Sequence, residues 1–221
     1  MVLQCNAGEK EAATFSESEA LSSIYDERAS SFLCIDYLAS NLKNTIFACV
    51  NQIKRWIVWL SRIHQCRGFG IQSPTDYAFV RYVVNEHWPY YAYAQFSGGD
   101  WLTRKLGRLY FRLANWCQPR WMLADEYQAY WKAGCRSLQF TPHLESVELA
   151  RLTIEDRDSY DRLLSKCNEQ SVLVIEGIFR DWQRWKAIEQ DKRVGTTFDL
   201  YYCGILFFDK NRYHHHYTIN F

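Results

Sequence analysis

The chain has 221 residues, 48% of them apolar and 17% aromatic, which is ample material for a core and excludes global disorder. A formal net charge of +1 gives no overall field for nucleic acid, and no nucleic-acid partner is expected. The longest candidate membrane span, Thr45 to Ile63, is interrupted by Asn51, Gln52, Lys54, Arg55, Ser61 and Arg62, so no transmembrane segment is expected.

Local charge is less even. Residues 1–40 carry seven acids against two bases, and residues 1–30, rich in Ser, Glu and Ala, read as a mobile acidic tail. Residues 41–72 carry five bases (Lys43, Lys54, Arg55, Arg62, Arg67) and no acid. Eight cysteines are scattered without C-x-x-C spacing, several inside apolar runs, where cysteine acts as a small buried hydrophobe. With no leader visible, that pattern suits a reducing, cytoplasmic setting.

From about Phe32 to His64 the pattern is helical, with Leu42, Ile46, Val50, Ile53, Ile57 and Leu60 at three- and four-residue steps. Arg67-Gly68-Phe69-Gly70 ends that helix, and Ser73-Pro74 opens a second through about Tyr93, with Pro89 able to stop it early. Residues 31–97 are thus a helical N-terminal extension, whose apolar stripe suits a protein partner or a homodimer. Trp56 and Trp59 beside the five bases also permit docking to a membrane surface or an acidic protein.

Ser97-Gly98-Gly99-Asp100 marks a boundary, and residues 98–221 read as an α/β domain. A helix over Trp101–Cys117 is followed by strands at Arg120–Ala124, Ser137–Thr141, Val147–Ile154 and Ser171–Ile175, with helices over Asp158–Cys167 and Phe179–Gln190. Phe198–Phe208 and Tyr213–Phe221, joined by Asp209–Arg212, read as a β-hairpin. Near-continuous apolar strands alternating with helices argue for a mostly parallel sheet with an antiparallel C-terminal hairpin.

That order resembles the Rossmann-like fold of class I S-adenosylmethionine-dependent methyltransferases. More specifically, Gly70, Ile71, Ser73 and Pro74 resemble an H-G-I-H-S-P-F-type turn in methyltransferase-like proteins of Bacteroidetes. Gly107–Trp116, Val172–Ile178 and Phe198–Phe208 resemble that family's pre-strand helix, late strand and closing strand.

The resemblance implies S-adenosylmethionine at the carboxyl ends of the strands. The candidate cofactor-binding residues are Asp125 and Glu126 after the first strand, Glu155 and Asp156 after the third, and Glu176 after the fourth. Asp158 is the expected N-cap of the helix that follows, and Asp156 suits a cap or a site equally.

A cofactor loop needs glycines that let the backbone approach the ligand. Here Asp125-Glu126-Tyr127-Gln128-Ala129-Tyr130-Trp131-Lys132-Ala133-Gly134 has none before position 134, and Tyr127, Tyr130 and Trp131 are expected to fill the pocket. The second strand ends Phe140-Thr141-Pro142-His143, without the expected ribose-binding acid, and the short spacing to the fourth strand leaves one βα unit abbreviated or absent. The resemblance with these departures implies a degenerate, non-catalytic methyltransferase-like protein with no cofactor, serving as an interaction or regulatory module. The alternative is an active methyltransferase with an atypical loop. His214-His215-His216 is a poor metal site, because within a strand alternate side chains point to opposite faces, and no metal is expected.

Overall fold

The computed structural model describes residues 45–46, 49–96, 98–209 and 214–221. The acidic tail and the first part of the expected helix at Phe32–His64 lie outside them. The chain divides into two compact units, Met1–Val58 and Trp59–Phe221.

Helix α1 runs over residues 49–61, followed by a 3₁₀ segment at Ile63–Gly68. Helix α2, Pro74–Phe79, begins as its sequence dictates, with Ser73 Oγ accepting from the Asp76 backbone N–H at 3.3 Å. It does not reach Tyr93. A π-helical turn at Val80–Val84 closes with Asn85 N–H bonding to Val80 O, and extended chain then leads through Pro89 to a 3₁₀ turn at Tyr91–Gln95. Helix α3, Trp101–Cys117, starts where expected. Asp100 caps it by accepting from Thr103 N–H at 2.7 Å, and Gln118 ends it in the left-handed region.

The remaining elements are β1 Trp121–Leu123, α4 Gln128–Gly134, β2 Gln139–Thr141, β3 Val147–Thr153, α5 Arg157–Leu164, β4 Cys167–Glu176, α6 Trp182–Glu189, β5 Thr196–Asp199, β6 Cys203–Phe207 and β7 His215–Thr218. Strands β1 and β2 form a parallel pair, and β1 lies against β3. A second sheet of five strands has the order β3-β4-β6-β5-β7. In it β3/β4 and β5/β7 are parallel, while β6 runs antiparallel to both of its neighbours. The architecture is therefore mixed α/β with a mixed sheet.

The hairpin sits elsewhere than the sequence suggested. The run Phe198–Phe208 is two strands, not one, turning at Leu200-Tyr201-Tyr202. Strand β7 pairs parallel with β5 instead of closing antiparallel on β6. The turn carries no glycine or proline. Asp199 makes it, with Oδ1 accepting from Tyr201 N–H at 2.8 Å and from Arg62 at 2.9 Å, while Tyr201 adopts φ +70°. The Tyr201 ring, stacked on Phe179 and covered by the Arg62 guanidinium, holds that rare conformation in place.

Strand side chains alternate between two cores. Leu149, Val172, Val174, Ile205 and Phe207 face α2, α3 and α4, while Ala150, Leu152, Leu173, Ile175 and Leu206 face α5 and α6. Phe79, Val80, Val83 and Val84 belong to the first core, so the segment around α2 is part of the sheet's own packing. On the second face Trp185 packs against the sheet at Gly204, where an added Cβ would sit 2.2 Å from the indole.

Candidate functional site

Asp125 and Glu126 follow the carboxyl end of strand β1, and Glu176 is the last residue of β4. These three of the five carboxylates come together, and β3 supplies what joins them. Arg151 donates from Nε to Glu176 Oε2 at 2.7 Å and from an Nη to Glu126 Oε1, with its other Nη 3.9 Å from Asp125 Oδ2. The Arg151 side chain is only 8% exposed, and its guanidinium stands 4.7 Å from the centre of the Tyr127 ring. Burial alone would lower its affinity for protons. The Glu176 hydrogen bond and the surrounding negative charge outweigh that and hold it above the usual arginine value.

The carboxylates have neutral partners too. Asp125 accepts from the Tyr127 backbone N–H at 2.8 Å, and both its oxygens lie 3.0 Å from Trp131 Nε1. Burial raises its pKa against those hydrogen bonds. Tyr110 donates to Glu176 Oε2 at 2.8 Å, and burial pushes its hydroxyl well above its ordinary value, so it remains a donor.

The segment that would be a cofactor loop is instead largely helix α4, and its rings are interior. Tyr127, Tyr130 and Trp131 are all buried. Trp131 stacks on Tyr110 with centroids 4.6 Å apart and planes at 14°, and Tyr127 meets Tyr110 edge-on at 4.8 Å. Tyr130 packs on Phe96 and against Gly107 of α3. The rings fill this region as the sequence suggested, and the three acids are braced on one cation.

The other two candidates stand apart from this cluster. Glu155 pairs with Arg180 at 3.1 Å, both mostly exposed. Asp156 is the N-cap of α5, accepting from Ser159 N–H at 3.0 Å, and hydrogen bonds from the Ser159 hydroxyl and then its backbone N–H lower its pKa. Asp158, the expected cap, lies inside the first turn. Hence the acids after β3 serve a surface pair and a helix end. His216 Nδ1 is 2.8 Å from Thr197 Oγ1, His214 meets His216 edge-on, and His215 lies by Tyr217.

Arg151 is the residue that sequence reasoning missed. A signal existed: in Leu149-Ala150-Arg151-Leu152 it interrupts an apolar stretch of strand, and a buried arginine calls for acceptors, carboxylates above all. No family model, no curated protein and no solved structure matches the chain.

Proposed function

We propose that this chain is a methyltransferase-type, Rossmann-like protein that has lost cofactor chemistry and acts as an interaction or regulatory module. The observation that carries the reading is Arg151, which occupies Asp125, Glu126 and Glu176 where a cofactor's hydroxyls and amino group would need them free. The buried cluster of Tyr110, Tyr127 and Trp131 supports it, because those rings pack on one another in the core where a cofactor loop would have to stay open. Strand order supports the ancestry. The chain passes from β1 out to β2 and returns to the far side of β1 for β3 and β4. Such a reversal is where open α/β sheets bind ligands, and the carboxylate cluster lies beside it.

Isothermal titration with S-adenosylmethionine and S-adenosylhomocysteine should give no binding heat at millimolar ligand. Micromolar affinity for either would restore the active enzyme with an atypical loop. The interaction surface in this reading is the helical extension, where Ile53, Ile57 and Leu60 are more than half exposed. An exposed apolar patch on a helix suits a second copy or a protein partner. Light scattering should detect a dimer that Leu60→Glu dissociates, and a wild-type chain monomeric at every concentration would remove the homodimer.

A further inference from the structure

Helix α3 has two faces. One sends Leu106, Leu109, Tyr110 and Leu113 into the core. The other carries Arg104, Lys105, Arg108 and Arg112 along one wall of a cleft of about 890 Å³, whose opposite wall is formed by residues of the 84–94 segment. That volume lies within the range of small-molecule sites.

The four cations share one property: among the described residues, none has a carboxylate in ion-pair range. Arg104 donates to Gly99 O, and Arg112 to Val83 O, Val84 O and the Tyr93 hydroxyl. Arg108 lies over Tyr93, and Lys105 over Trp101 and Phe221. The acid lining the cleft, Glu86, turns its Oε1 to the His87 and Trp88 backbone N–H groups. Partly buried cations without anions are costly to maintain, and an anionic ligand offsets that cost. Burial and the neighbouring Arg112 already press the Lys105 ammonium down to about 8, the behaviour of a cation that lacks its counter-charge.

The cleft is also lined with rings. Trp88 and Tyr91 are 71% and 98% exposed, and Tyr90 and Trp101 line it further in. Cations serve phosphate, and flat exposed rings serve a base. We propose that the cleft between α3 and residues 84–94 is a binding site for a nucleoside phosphate, with Arg104, Lys105 and Arg108 toward the phosphates and the aromatic rings stacking the base. The site uses neither Arg151 nor the carboxylates it braces, and it stands whether or not the methyltransferase ancestry does.

Isothermal titration of the full chain with ADP, pyrophosphate and adenosine tests it. ADP should bind saturably at one site, with pyrophosphate and adenosine each weaker by about tenfold or more, because each lacks half of the recognition. Arg108→Ala, at an exposed position, and Lys105→Met should each weaken ADP by about tenfold. If Lys105→Met fails to fold, Arg108→Ala alone decides. No saturable heat with ADP, equal affinity for pyrophosphate, or ADP binding unchanged in Arg108→Ala would each overturn the assignment. So would a short single-stranded oligonucleotide binding more tightly than ADP, which would make the cleft a strand-binding surface.

Discussion

Arg151 decides how the candidate site behaves. Three carboxylates around one buried guanidinium are stable only while that cation is present, since Asp125 and Glu176 are themselves largely out of water. Arg151→Met should cost about 3 kcal/mol in denaturant unfolding, the low end for a broken buried pair because Glu126 is mostly exposed. Arg151→Lys should recover only part of this, because an ammonium cannot fork between Glu176 and Glu126 as a guanidinium does. A methionine variant within about 1 kcal/mol of the parent would mean that the cluster is solvated, and the account of the site would change. The five candidate acids were legible in the sequence as strand-end carboxylates. Their partners were not. Asp125, Glu126 and Glu176 meet only through a residue on a different strand, and no local pattern encodes that distance. Asp156 was readable as a cap, since that role is local, whereas the partner of Glu155, Arg180, lies 25 residues away and was not.

Elements whose cause is local were the legible ones. The Asp100 cap and apolar stripe fix α3, and Ser73-Pro74 fixes the start of α2. The closing hairpin was misplaced because its turn residue is a tyrosine, whose left-handed backbone is held by tertiary contacts to Phe179 and Arg62. Helix α4 was passed over because the resemblance framed its residues as a loop. Contact between sheet and helix was equally invisible at Gly204 on β6. The Trp185 indole against it is fully buried, so it has little room to retreat from a new methyl group. Gly204→Ala should therefore destabilise by roughly 1–3 kcal/mol, the usual cost of overpacking, despite alanine's better backbone entropy. Thermal unfolding measures this, and an unchanged or raised midpoint would show that α6 can lift from the sheet.

For the whole molecule, the sequence anticipated a sheet covered on both faces, and the two cores on either side of β3, β4 and β6 have that arrangement. It anticipated an antiparallel strand at the sheet's edge and not β6 inserted between β4 and β5, because a strand's place depends on which partner it finds. Among the described residues no helix is long and apolar enough to cross a membrane. Strand β7 closes one side of the five-stranded sheet, and its position there bears on self-association. A sheet's last strand offers unpaired amides to any extended chain that comes near, and proteins blunt that hazard with short strands and polar side chains. Here the outermost strand is four residues long and opens with two imidazoles, so it makes a poor template for fibril-like growth.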